Sequence, residues 1–156
     1  MATKPEATME AALKMLVAGP KTRAALLRRL VSQGHGLHDA GACLDRLEQM
    51  GYIDDELFSE RWVEVHQQRA PSGAALLRQH LLRKGVPREV VERVLGRSLQ
   101  EEPAALSAAQ SYLDKARNPW DRDTVAVKLG SHLRARGFEY DIIAKTVRDL
   151  LGTGPE

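Results

Sequence analysis

Cysteine is nearly absent from this chain: Cys43 is the one thiol in 156 residues. That excludes an internal disulfide framework and a zinc site built on paired cysteines, and it fits a reducing compartment. Aromatic residues make up only 4%, so any core must be mostly aliphatic. No run of 18 apolar residues occurs, so the pattern of a membrane-spanning helix is missing. The first 20 residues carry Glu6, Glu10 and Lys14 without a long apolar block, unlike a secretory signal. A large charge of one sign is missing too. The net charge of +2 excludes a histone-like polycation. No stretch of four or more alternating β-branched and polar residues is bounded by turn signals, so strands have no support.

What remains has ordinary globular composition, with 43% hydrophobic and 28% charged residues. The apolar residues recur at steps of three and four: Met9, Leu13, Leu16; Leu26, Leu30; Leu44, Leu47; Phe58, Trp62, Val65; Leu77, Leu81; Val91, Val94, Leu95; Leu129, Leu133; Ile143, Val147, Leu150. This is the stripe of helices that bury one face. Gly34, Gly51, Gly85, Gly137 and Gly152 each follow such a run, where a left-handed residue closes a helix. Pro5, Pro87 and Pro103 stand where first turns begin, and Ser72 is placed to act as an N-cap. Asp54, Asp55 and Glu56 put negative charge in a first turn, where the helix dipole favours it. The spacing predicts nine helices, near residues 6–18, 22–33, 38–50, 55–69, 73–84, 87–100, 103–116, 122–136 and 139–151.

The nine form three copies of one unit. Gly34, Gly85 and Gly137 are separated by 51 and 52 residues. Four residues before each stands a leucine (Leu30, Leu81, Leu133), and eight before stands another (Leu26, Leu77, Leu129). Ten after comes an aliphatic residue: Leu44, Leu95, Val147. Each unit is too small to bury much surface alone, so neighbours should support one another. The expected fold class is all-α: three tandem three-helix repeats, 1–51, 52–101 and 102–156, in an elongated, curved array.

Charge follows the repeat. The stretch 19–34 holds Lys21, Arg23, Arg28 and Arg29 with no acid. The stretch 69–88 holds Arg69, Arg78, Arg83, Lys84 and Arg88 with none, and 124–138 holds Lys128, Arg134 and Arg136 with none. The helix from Asp54 to Val65 is instead −4. One basic helix per repeat would give a discontinuous basic track, suited to a polyanion or an acidic groove and sensitive to salt. Individually these cations have plainer uses. Lys84 and Arg136 directly precede glycines and can serve the helix dipole. Arg78 and Arg83 fall about 140° apart around their helix, so they are not one stripe.

Other signals read as structure. Trp62 and Phe58, on the face of Val65, suit a core better than a base-stacking platform. Phe138 and Tyr140 would pin a helix end. Trp120, after Asn118 and Pro119, is either exposed or caps the joint between repeats. His35, His38 and Cys43 lack a fourth metal ligand. Gly19-Pro20-Lys21-Thr22 lacks the upstream glycine and the strand of a phosphate-binding loop, since position 14 is Lys14. Asp54 and Asp55, adjacent on a helix, point apart and do not make a catalytic carboxylate pair. No nucleophile elbow is present, and Cys43 has no evident base partner. Nothing argues for an enzyme or a cofactor.

The segment Gly51-Tyr52-Ile53-Asp54-Asp55-Glu56-Leu57-Phe58 resembles the second-repeat signature of the RecX family of recombinase regulators. Gly73, Leu77, Leu81, Lys84 and Gly85 follow at the family's spacing. The last repeat is similar too, with Lys128-Leu129, Leu133, Arg136-Gly137-Phe138, Tyr140 and Ile143. Thr22, Leu26 and Leu30 fill expected places in the first. The resemblance spans about residues 10–150. Four positions depart from it: Ala74 replaces a common proline, Leu76 a frequent basic residue, and His80 and Ala25 frequent acids.

The resemblance implies a bacterial cytoplasmic protein that lies in the groove of the RecA–DNA filament. There it would block filament growth, ATP hydrolysis and strand exchange. Some members also contact single- or double-stranded DNA. No membrane and no small-molecule substrate is implied. The expected contacts are Arg69, Arg78, Arg83, Lys84 and Arg88, extended by Arg28, Arg29, Lys128, Arg134 and Arg136. The alternative is a DNA-binding helical protein acting without a recombinase, and a third reading is a helical adaptor for another protein.

Overall fold

A computed structural model describes residues 4–116 and 120–152. Among these, the chain forms nine helices and no strand: α1 (Pro5–Val17), α2 (Arg23–Ser32), α3 (Leu37–Gln49), α4 (Asp55–Arg69), α5 (Ala74–Arg83), α6 (Arg88–Ser98), α7 (Glu101–Lys115), α8 (Arg122–Ala135) and α9 (Tyr140–Leu151). Each starts and stops within about two residues of its expected bounds. The expected all-α class and helical-triplet pattern are both present.

The repeated leucines explain why. Leu26, Leu30, Leu77, Leu81, Leu129 and Leu133 are all fully buried. Each second leucine also lends its carbonyl to the helix end. His35, Val86 and Phe138 donate their N–H groups to the carbonyls of Leu30, Leu81 and Leu133, at 3.0, 3.1 and 3.2 Å. Those three donors are buried as well, so the chain leaves each helix by folding its next residue back onto the helix's own apolar face. Thr22, Asp54 and Asp121 cap α2, α4 and α8 by accepting the N–H groups of Ala25, Leu57 and Thr124.

Backbone contacts group the chain into two compact units. One runs to Arg61 and includes Leu81–Val94; the other comprises Trp62–His80 and the chain from Leu95. In the first unit α1, α2 and α3 pack on one another around Ala12, Leu26, Leu30, Ala40, Leu44 and Leu47. In the second, α7, α8 and α9 pack around Ala105, Ala109, Leu129, Leu133 and Phe138.

Several expected details are corrected. In α1 the buried stripe is Thr8, Ala12 and Met15, while Leu13 is 38% exposed. The stripe turns because Thr8 pairs with buried His35, Oγ1 to Nδ1 at 2.8 Å. In α4 the buried residues are Ser59 and Val63, and Val65 is exposed. Ser59 folds its hydroxyl onto the carbonyl of Asp55 and so needs no outside partner. Ser72 is not a cap: α5 starts from Gly73, whose carbonyl accepts the N–H of Leu77. Pro87 precedes α6 as its cap residue, its carbonyl accepting from Val91. Tyr140 is 81% exposed, leaving Phe138 alone to pin its helix end. Asn118 and Pro119 lie outside the described residues.

Candidate interaction surface

The joints between successive triplets are built twice on the same backbone plan. In the first unit, Thr22 donates its hydroxyl to the carbonyl of Lys84 at 2.6 Å, and a Cβ at Gly85 would overlap Ala24. In the second, one repeat further along, the N–H of Gly73 donates to the carbonyl of Arg136 at 2.9 Å. There a Cβ at Gly137 would come within 2.5 Å of Leu76, and one at Gly73 would overlap the Gly137 carbonyl. So the start of one basic helix sits on the glycine that ends the next. Lys84 and Arg136, expected as contacts, give their backbone carbonyls to these joints.

Side chains reinforce each joint. Asp55 accepts the N–H of Arg23 at 3.0 Å. Burial raises the Asp55 pKa, a shift that this hydrogen bond partly offsets. Arg23 in turn pairs with Asp45 at 2.8 Å and Glu48 at 3.2 Å. Burial opposes its charge, but these carboxylates outweigh that and raise its pKa. In the second unit, Glu101 accepts the N–H of Ala74 at 2.6 Å. The Arg136 guanidinium bonds the Ala70 carbonyl at 2.7 Å and Ser72 Oγ at 2.6 Å. Ser72 is also held by His66 Nε2 at 3.1 Å. His66 stacks on Trp62 at 4.8 Å, and His80 lies 5.5 Å from Trp62 and 5.7 Å from His66. Burial, then His80 and Arg136, lowers the His66 pKa.

The remaining cations divide by exposure. Arg28, Arg29, Arg83 and Arg88 in the first unit, and Arg69 and Arg134 in the second, are exposed and carry no ion pair among the described residues. Arg78 is half-buried and already engaged within the chain, and Lys84 is engaged likewise. Lys128 lies over the Trp120 ring, 4.5 Å from its centroid. Arg69 and Arg136 line one cleft with Lys115, whereas Arg134 lines a separate groove with Phe138 and Tyr140. Arg29 shares a shallow depression with Lys14, Lys21 and Glu10. The acidic helix α4 is largely used at home: Asp54 caps it, Asp55 serves the joint, and Glu56 pairs with Arg93 at 2.7 Å.

His35 is committed to Thr8, and His38 is exposed. Cys43 lies 3.8 Å from the Met9 sulfur, and burial raises its pKa. Among the described residues no cluster of His, Cys, Asp and Glu could hold a metal, and no helix is long and apolar enough to cross a membrane.

Residues 54–95 match the family model described as the second three-helix domain of RecX. The chain is 37% identical over 134 residues to the regulatory protein RecX of Mycolicibacterium vanbaalenii, covering 81% of this chain and 72% of the relative. It is 32% identical over 147 residues to that of Chlorobium limicola, covering 93% and 90%. The chain belongs to the RecX family. The fold agrees: the crystal structure of RecX from Lactobacillus salivarius superposes with a TM-score of 0.84 at 20% identity, covering 94% of this chain and 96% of that one.

Two of the departures from the RecX pattern, Ala74 and His80, have structural accounts. Ala74 keeps an N–H that proline would lack, and Glu101 takes it. Leu76 meets Gly137 through its backbone and Cβ, a contact any residue with a Cβ can make, and nothing in it explains the loss of the basic residue. His80 joins the ring stack of Trp62 and His66. Ala25 gives its N–H to Thr22. Sequence reasoning missed Tyr112, Lys115 and His132, which line the cleft. Their one signal was that they fall outside the apolar stripes of α7 and α8.

Proposed function

We propose that this RecX-family chain is a non-enzymatic negative regulator of the RecA recombinase. It binds the RecA–DNA filament and inhibits its ATPase, filament growth and strand exchange. The three repeats, 1–51, 52–101 and 102–156, act as successive contact modules. The observation that carries this reading is the set of exposed guanidinium groups on the second helix of each triplet: Arg28 and Arg29, Arg83, and Arg134. Arg69 and Arg88 flank the middle helix and extend the set. These groups are left to face acidic side chains or phosphates by charge-assisted bonds, while Arg23 and Arg136 are consumed internally. Family membership supports the recombinase as target.

The test is the ATPase of RecA on single-stranded DNA with and without this protein. Inhibition by the native chain is expected. Reversing Arg83 and Arg88 to glutamate should weaken it at least tenfold while helicity is retained. Native protein that leaves the ATPase unchanged at physiological salt rejects the reading. Tight duplex binding in a gel shift without recombinase, together with no effect on the ATPase, would favour a DNA-binding protein instead.

A further inference from the structure

The cleft between the end of α4 and helices α7 and α8 is unlike the other depressions of the molecule. Its volume of about 650 Å³ is not what sets it apart, since the others hold about 410 to 580 Å³; its lining is. Arg69, Lys115 and Arg136 supply positive charge, and no acid lines it among the described residues. Ala70, Pro71, Ala108, Ser111 and Ala116 make its surface small-sided and open. Tyr112 and His132, stacked at 4.5 Å and 23°, line it together with Trp120.

Three features of this lining narrow the ligand. Arg69 and Lys115 are exposed and carry no ion pair among the described residues, so their charge is available to an anion. Arg136 is fixed by Ala70 and Ser72, so its charge is preorganised at the cleft. The His132 pKa is lowered by burial, then by Arg136 and Lys115. At neutral pH the Tyr112–His132 pair is therefore an uncharged ring face beside cations. Flat uncharged rings beside positive charge match a planar, anionic ligand. An acidic peptide would use the cations and leave the rings idle.

We propose that this cleft binds an unstacked nucleobase and its adjoining phosphate. The base would stack on the aromatic lining, and the phosphate would meet Arg69 and Lys115. The ligand is one nucleotide unit, and single-stranded nucleic acid supplies it with further phosphates in series. This goes beyond the recombinase reading, and its test contains no recombinase, so the two can fail separately.

The experiment titrates fluorescein-labelled oligo(dT) with the full chain and follows anisotropy. The double variant Arg69→Ala, Lys115→Ala changes only exposed side chains and should keep the fold. It should weaken binding about tenfold or more in low salt. It should also flatten the slope of log affinity against log salt by about 0.7, the value for one lost phosphate contact on a single strand. Trp120→Ala, checked by circular dichroism, should weaken binding at least fivefold, in keeping with base stacking. Photo-cross-linking of 5-iodouracil oligonucleotide should label the peptide carrying Tyr112 or Trp120. Competition by a nucleoside monophosphate at matching concentration would support the cleft and assign it to free nucleotide. Competition only by other oligonucleotides would support it and assign it to the strand. The proposal is overturned if both variants bind like the native chain, if cross-links fall only elsewhere, or if polyglutamate displaces the strand as well as oligo(dT) does.

Discussion

The two joints use one geometry and different chemistry. At Gly85 the approaching helix is held by a neutral hydroxyl, Thr22, which caps its own helix and also reaches the Lys84 carbonyl. At Gly137 the hold is a backbone N–H from Gly73, and a guanidinium ties the preceding loop in place. Gly34, the equivalent residue of the first triplet, has no atom of the described residues within 4 Å of where its Cβ would be. The comparison shows that duplication preserved the backbone approach and left the chemistry around it to drift.

Substituting the joint glycines should produce the largest effects. Gly73→Ala keeps an ordinary backbone angle but has no room, whereas Gly34→Ala has room but sits at φ +94°. Overpacking against rigid backbone should cost the second unit about 3 kcal/mol. The left-handed penalty alone should cost the first about 1 kcal/mol. Denaturant midpoints and unit-resolved hydrogen exchange would measure both. A Gly73→Ala loss no larger than that of Gly34→Ala would mean that the joint does not depend on close approach at Gly73.

Next in size are the side-chain fastenings. Arg136→Ala removes two charge-assisted bonds and should destabilise the second unit by about 2 kcal/mol. Thr22→Ala removes a cap and a buried hydroxyl donor, for about 1–2 kcal/mol in the first unit. Thr22→Ser should restore most of that loss. Unfolding melts that rank the two fastenings in the opposite order would break the contrast.

Acid should act on one unit before the other. His66 and His132 both have lowered pKa values, chiefly from burial, and both lie in the second unit. The unfolded chain binds protons there first. Stability is thus full above the unfolded histidine pKa of about 6.5 and falls as pH drops below it. Melting temperature should be lower at pH 5.5 than at pH 7.5, and His66→Gln should shrink that difference. Hydrogen exchange should show the acid loss in the second unit. The smallest effect belongs to the exposed cations: Arg28→Glu with Arg29→Glu should leave stability within about 0.5 kcal/mol.

Helix number, helix ends and the repeat were legible because leucine and glycine recur at fixed offsets and carry most of the local information. The faces of α1 and α4 were not, because Thr8 and Ser59 are buried where an apolar residue was expected. A threonine reads as polar until its partner, His35, is known to lie opposite. The joints were invisible for a related reason. Ala24 and Leu76 look like ordinary helix residues, and only the approach of a second backbone gives their size meaning. Local charge counting found the basic helices but not the acids of α3 that neutralise Arg23. Which of the basic residues stay exposed was not legible, since Arg78, Lys84 and Arg136 were grouped with the rest, and neither was the aromatic cleft, whose rings come from α7, α8 and the chain before α8.

The open glycine at position 34 is, for anyone assembling proteins from modules, a vacant socket. Its carbonyl neighbour and its missing side chain already have the shape that the two occupied positions use. A grafted helix pair whose second helix begins with threonine and carries a small residue two positions later would meet the same steric terms as Thr22 and Ala24 meet at Gly85. Lengthening such a scaffold is therefore a matter of supplying the plug.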